Sequence, residues 1–307
     1  LVMVSENLLS NRNFSWFDVE EPRTEDFDTL TNKFNLPYLL VQDTLRPEHL
    51  PKYEYTDEGH FLMMRSYDPE SERDATSVQE MTRKIALFIR EDRLVTIHRV
   101  SLEFLNKILE RCKKNDIPKT IQGLVHQIVL SIIRSYEEPI NNLQNLYDDF
   151  EEDILSKKVE NLDTIRMYHF RRQLYLIKRI LKQTNDALYR SKEFWDEYPS
   201  MLQDLKENID QVYFQLDEIS DNFEHLFQLH ISLNDQRANE VMKILTVFSS
   251  VLLPLNFIAS FYGMNFEHIP GLHSVSAFHW VVFMMILVSI TGIWFFKRKR
   301  WFTTPRD

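Results

Sequence analysis

This chain of 307 residues has little glycine and little cysteine, five of the first and one of the second. So little glycine leaves few positions for tight turns, and with abundant Leu, Glu, Lys and Gln it predicts long helices. The lone Cys112 excludes an intrachain disulfide and accords with a reducing compartment for the soluble part. A Gly-rich phosphate loop, a Cys/His metal cluster and a nucleophile elbow are all missing, so no enzyme is indicated. A net charge of −10 and the lack of a basic patch argue against nucleic acid as a partner. Leu1 to Phe14 has no charged stretch followed by an apolar run, and no signal peptide is expected.

Charge is also missing locally. Ile244 to Tyr262 is nineteen residues without a charged side chain, and Trp280 to Phe296 is seventeen, or twenty counted from Ala277. A helix needs about 20 apolar residues to cross hydrocarbon. Both runs meet that length, the second with Trp280 and Trp294 near its ends. The competing reading is a pair of buried core helices. Lys297-Arg298-Lys299-Arg300 follows the second run, while Gly263 to His279 between the runs has no Lys or Arg. Positive charge stays inside. A multi-pass protein of the cell (inner or plasma) membrane is expected, its loop outside and both termini cytoplasmic. Two spans cannot enclose a pore, so transport would require several chains.

The rest is polar and acidic. Residues 14 to 100 read as mixed α/β, with strands over Phe14–Val19, Lys52–Thr56, Phe61–Tyr67, Arg83–Arg90 and Leu94–Arg99. The last two form a hairpin around Arg90-Glu91-Asp92-Arg93. A helix capped by Thr24 is expected over Asp26–Phe34, and Asp68–Ser77 reads as a loop. Beyond Ser101 nearly everything reads as helix. One runs from Gln122 to the acidic stretch Asp148–Asp153, kinked by Pro139. A second covers Leu162–Arg190 with a basic face, and Pro199 breaks it. A third continues without Pro or Gly from Ser200 to Pro254. The lone histidines His98, His126, His169 and His230 read as ordinary surface or packing residues.

Polar residues are not scattered through the first span. Steps of three and four from Asn239 meet Met242, Thr246, Ser249, Leu253, Asn256 and Ser260. Run backward, the same register meets Asp235, Ser232, Gln228, His225, Asp221 and Glu218. That period, ~3.5, belongs to helices winding about a shared axis. An Asn in hydrocarbon is costly unless it meets water or a partner. The stripe therefore reads as a pore line, or alternatively as polar glue between helices. Neutral oxygens with apolar rings at Met242 and Leu253 suit a hydrated cation passing a dewetting constriction.

At the end of the first span stands Tyr262-Gly263-Met264-Asn265-Phe266-Glu267, flanked by Asn239-Glu240-Val241-Met242-Lys243, Pro254-Leu255-Asn256-Phe257-Ile258-Ala259 and the basic ending before Trp301. These segments resemble the CorA family of magnesium and cobalt channels. The resemblance covers the membrane part closely, the long helix plausibly and the α/β part weakly. It implies a homopentameric, funnel-shaped channel: an α+β cytosolic domain (1–118), a helical hairpin and stalk (119–240), a pore-lining span (241–262), an outer loop (263–279), a second span (280–296) and a basic tail (297–307). Gly263, Met264 and Asn265 would form the selectivity filter, with Asn265 holding hydrated magnesium and Gly263 permitting a sharp turn. Met242 and Leu245 match a hydrophobic constriction, Asn239 a polar ring below it and Asn256 a polar pore position. Lys297, Arg298, Lys299 and Arg300 match a basic collar.

The resemblance also implies sensing of cytosolic magnesium between subunits. Pro37 to Asp43, followed by Arg46 and Pro51-Lys52-Tyr53-Glu54, points to Asp43, and counting back along the stalk from the pore puts the second carboxylate at Asp204. Magnesium would be both cargo and regulator, with Co2+, Ni2+ or Zn2+ as further cations and the lipid bilayer and other copies of the chain as partners. Gln42, Gly271 and Gln228 stand where relatives often carry acids, which leaves Glu267 as the only acid of the loop. Two other readings remain. A zinc transporter of the related ZntB type would employ the loop histidines His268, His273 and His279. A non-transporting membrane receptor or scaffold would need neither the stripe nor Asn265.

Overall fold

The computed structural model describes residues 3–5, 14–23, 26–72, 74–114, 116, 119–156, 164–264, 275–299 and 301. The chain divides into two compact units, Leu1–His225 and Leu226–Asp307.

The first unit is built on a six-stranded sheet: β1 (Met3–Ser5), β2 (Ser15–Glu20), β3 (Lys52–Thr56), β4 (Gly59–Tyr67), β5 (Thr82–Ile89) and β6 (Arg93–His98), in the spatial order β1-β2-β6-β5-β4-β3. All pairings are antiparallel except β2 with β6, which runs parallel from Ser15↔Arg93 to Glu20↔His98. The expected hairpin is present, closed by Arg90 N–H donating to Arg93 O at 2.9 Å. Two short helices, α1 (Phe27–Phe34) and α2 (Tyr38–Leu45), cover one face. There Leu30, Phe34, Leu40 and Val41 join Val19, Phe61, Met63, Ala86, Phe88, Val95 and Ile97 in one core. Leu62, Met64, Ile85, Leu87 and Leu94 alternate with these and are equally buried. With apolar groups on both sides, the central strands read as continuous apolar runs rather than alternating ones. A one-turn helix, α3 (Val78–Met81), leads into β5 through a capping box of Ser77 and Glu80.

Beyond the sheet come α4 (Glu103–Lys113), α5 (Ile121–Arg134), α6 (Glu137–Leu155) and α7 (Thr164–Arg190), then a 3-10 turn (Lys192–Trp195) and α8 (Pro199–Tyr262). α5 and α7 lie over β3 and β4. The helix expected over Gln122–Asp153 is two helices, broken at Ser135–Tyr136, where the Ser135 hydroxyl donates to Ile132 O. Pro139 therefore kinks nothing. It is the third residue of α6, in the first turn, where its missing N–H has no intrahelical partner to lose. Pro199 likewise breaks no helix: α7 has already ended at Arg190, and the proline opens α8 at its first position. The cap position of α1 is Asp26; Thr24 lies outside the described residues, as does Pro118.

α7 and the first part of α8 form an antiparallel coiled coil. Met167, Phe170, Leu174, Ile177, Leu181, Thr184 and Leu188 are buried on one helix, and Leu202, Leu205, Ile209, Val212, Leu216, Ile219 and Phe223 on the other, both in alternating steps of three and four. Polar rungs keep the same register: Arg171 with Glu224 at 2.9 Å, Lys178 with Asp217, and Asn185 Nδ2 donating to Asp210 at 3.2 Å. Each rung is seven residues forward on α7 and seven back on α8. The basic face of α7 thus partly answers the acids of α8.

His98 is not an ordinary packing residue. Its Nδ1 lies 2.8 Å from Val100 O, an acceptor only, so that nitrogen carries a proton. Nε2 lies 3.1 and 3.2 Å from the two Asp18 oxygens, and Asp18 also accepts from the Thr96 hydroxyl. Burial works against charge on His98, but Asp18 and the Val100 carbonyl outweigh it and hold its pKa above 6.5. The stabilisation is therefore present below the unfolded value and lost as pH rises through the folded one. Half-buried Lys84, pushed down to about 7, acts with the opposite sign, so a variant must isolate His98. The gap in melting temperature between wild type and His98→Gln should shrink from about pH 6 to about pH 9; a gap constant with pH would refute the charged pair. At the β3–β4 turn, Gly59 has φ +125, and a Cβ there would run into Ile89 O. Gly59→Ala should cost at least about 2 kcal/mol in denaturant unfolding.

Candidate functional site

In the second unit, α8 meets α9 (Val275–Arg298). Both helices are long and apolar enough to cross a membrane, and their apolar windows are almost wholly exposed. Their common seam is narrow. Val247 is buried and Val251, Leu255 and Ile258 half-buried on α8, while Val281, Met285, Val288, Ser289, Gly292 and Phe296 are half-buried on α9. Gly292 lets the helices close up, since a Cβ there would lie 3.2 Å from Val251 Cγ2.

The polar stripe lies on the other side of α8. At about 100° per residue, Asn239, Met242, Thr246, Ser249, Leu253, Asn256 and Ser260 centre roughly 180° from the seam. Ser249 is half-buried and the other six are exposed, Met242 at 64% and Leu253 at 66%. Leu245 is exposed too, at the stripe's edge. In the first unit Glu218, Asp221 and His225, which continue the register, are exposed on α8 as well. Thr246 donates its hydroxyl back to Met242 O at 2.7 Å, and Ser250 to Thr246 O at 2.7 Å, so each keeps a bond in an apolar setting while its oxygen lone pairs face outward. Pro254 sits inside α8 and removes one donor from its ladder.

Gly263 is a turn residue directly after the end of α8. Its N–H donates to Ala259 O at 2.9 Å, a helical bond, and its φ is not left-handed. What glycine supplies at this point is room, because a Cβ would approach Ala259 O to 3.2 Å. Met264 follows, 46% exposed. Asn265, Glu267, His268, Gly271, His273 and Arg300 lie outside the described residues. Lys297, Arg298 and Lys299 are exposed, with Arg298 stacked on Trp294 at 5.3 Å.

Asp43 and Asp204, the carboxylates expected to sense magnesium, both sit in the first unit, each with partners of its own. Asp204 accepts from His126 Nε2 at 2.8 Å, a partner the sequence reading missed, and Asn208 donates to its backbone carbonyl at 2.7 Å. Asp43, near the end of α2, has one oxygen 2.6 Å from Lys52 Nζ and the other 3.3 Å from His49 Nε2. Lys52 also reaches Glu54 at 2.5 Å. Burial lowers the Lys52 pKa, but the two carboxylates outweigh it and leave it raised. Behind Asp43, two cations clamp the backbone. Lys84 donates to Asp43 O at 2.9 Å and to Arg46 O, and Arg65 donates to Pro47 O at 3.0 Å and His49 O at 2.8 Å. Burial, then Arg65 and Arg99, push Lys84 down to about 7. Among the described residues, no three His, Cys, Asp or Glu side chains are grouped to hold a metal within one chain.

Residues 11–298 match the CorA-like Mg2+ transporter protein family. The chain belongs to that family. CorA-like relatives include the cobalt/magnesium transport protein CorA of Methanocaldococcus jannaschii, 23% identical over 93% of this chain and 90% of that one. The zinc transport protein ZntB of Vibrio parahaemolyticus has the same identity over a somewhat shorter match, 23% over 89% of this chain and 84% of its own. The fold matches the complete structure of the Methanocaldococcus jannaschii CorA magnesium transporter, with TM-score 0.77 and 20% identity over 95% of this chain and 93% of that one. This CorA-like chain therefore comes from a family of divalent-cation transporters, with two helices fit to cross a membrane.

The seam is open to test. Gly292→Leu forces a side chain into Val251 and should cost about 1–3 kcal/mol. The expected result is a lower melting temperature in detergent, with Ile290→Leu, on the exposed side of α9, unchanged.

Proposed function

We propose that the chain is one subunit of a homopentameric channel conducting magnesium into the cell, with α8 lining the pore. The observation that carries this reading is the stripe from Asn239 to Ser260, set on the side of α8 away from α9 and left uncovered within one chain. In hydrocarbon such a face needs water or other copies of itself. Around a shared axis its hydroxyl and amide oxygens would contact the water shell of an ion that dehydrates reluctantly, and Met242 and Leu253 would narrow the path. Asn265 would form the outer filter, and Lys297 to Arg300 would lie on the cytosolic side. Cobalt and nickel are further cargoes on this reading.

Asp43 and Asp204 are proposed as regulatory ligands across a subunit boundary. Cytosolic magnesium bound there would favour a closed state, and its loss would free the subunits to move. Carboxylate oxygens suit a hard cation. A zinc-conducting channel is the second reading, supported by the ZntB relative.

The test is uptake into proteoliposomes holding the purified protein. Wild type should pass Mg2+, and Asn265→Ala should lose at least about tenfold in rate, the weight of one well-placed ligand ring. Zinc entry with little magnesium would move the protein to the second reading. No flux from folded oligomers at low magnesium would sink both.

A further inference from the structure

The carboxylate proposed to sense magnesium already has a cation on it. Lys52 Nζ stands 2.6 Å from Asp43 Oδ2 and 2.5 Å from Glu54 Oε1, so one ammonium bridges two carboxylates. His49 Nε2 is 3.3 Å from the remaining Asp43 oxygen. The Asp43 side chain is 22% exposed and that of Glu54 44%. The Lys52 ammonium lies over the Phe61 ring, 5.5 Å from its centroid. The Asp43 backbone is pinned by Lys84, and the loop carrying His49 by Arg65. The Asp43 backbone is thus held from behind, while the ammonium in front of it already touches a second acceptor.

We propose that Lys52 is an internal counter-cation that a divalent ion must displace from Asp43, and that Glu54 is the acceptor that keeps the ammonium once displaced. This rests on the reading of Asp43 as a regulatory ligand. A divalent ion cannot share Asp43 with an ammonium 2.6 Å away without strong repulsion, so binding is an exchange: the ion takes the Asp43 oxygens and Lys52 retracts onto Glu54. Glu54 remains ionised and paired, so no charge is left bare. The exchange sets the sensor's affinity. Each ion bound must repay one charge-assisted hydrogen bond, which places the response at a higher cation concentration than a bare carboxylate would.

The predicted signs are opposite at the two neighbours. In the full chain, reconstituted in nanodiscs and titrated with MgCl2, protection from protease is the readout. Lys52→Met keeps an unbranched stem without the charge and should lower the midpoint concentration by about tenfold, one charge-assisted bond given up. Glu54→Gln should raise it, because the ammonium then has only Asp43 to hold. The double variant separates exchange from simple charge. If Glu54 acts only through Lys52, Glu54→Gln has no effect once position 52 is Met, whereas a through-space effect persists unchanged. A midpoint unmoved or raised by Lys52→Met, with Asp43→Ala still abolishing protection, overturns the exchange and leaves the sensor reading standing. Protection unaltered by Asp43→Ala overturns both.

Discussion

In hydrocarbon a backbone N–H or C=O finds no water, so a chain that enters a bilayer must bring its own hydrogen bonds. α8 does this by not stopping. Its 64 residues, roughly 95 Å at about 1.5 Å each, carry a buried heptad pattern in the soluble stretch and an exposed apolar surface in the other. Glycine is absent from it, and its one internal proline, Pro254, leaves the Ser250 carbonyl without its usual donor. The organisation of each unit follows from what this helix needs on each stretch: α7 to cover its Leu and Ile positions in the first, α9 to take its Val247–Ile258 edge in the second.

The two stretches solve the polar problem differently. Against α7, acids of α8 are met by Arg171, Lys178 and Asn185 at seven-residue intervals, a registry that sets both partner and direction. On the apolar stretch no charge is available, so small hydroxyls bond back to the carbonyl one turn earlier, as Thr246 and Ser250 do. Hydroxyls and amides can then face a water-filled path without requiring a counter-ion, while the charged groups that could respond to an ion, Asp43 with Lys52 and Glu54, stay in the soluble unit. Conduction and sensing on the proposed reading thus employ different chemistry, neutral dipoles for one and exchangeable charge for the other.

Much of this was legible in the residues. Five of the six strands appear within one or two positions of where alternation and the Arg90–Arg93 turn suggested, because those signals are local, while β1, only three residues long, was not foreseen. The two apolar helices and the stripe were legible because composition and period alone define them. What was not legible was long-range. The short helix over Tyr38–Leu45 has too few residues to show a period, and Pro139 and Pro199 were misread because a proline signals a helix start as well as a break. His98 and His126 find their carboxylates 80 and 78 residues away, a pairing no local pattern reveals. The coiled-coil register of α7 was present in its 3-4 spacing, but only the partner helix shows which of its faces is covered.

The parallel pairing of β2 with β6 joins residues 78 positions apart, so the sheet cannot close until His98 has been made. The coiled coil in turn waits for Glu224. All of these residues precede the first charge-free run at Ile244, and at ~5–20 residues per second roughly one to four seconds separate Glu224 from it. The order of synthesis thus puts both partners of every strand pair on the chain before the apolar helices follow, so the two hydrophobic hazards of this chain arise one after the other.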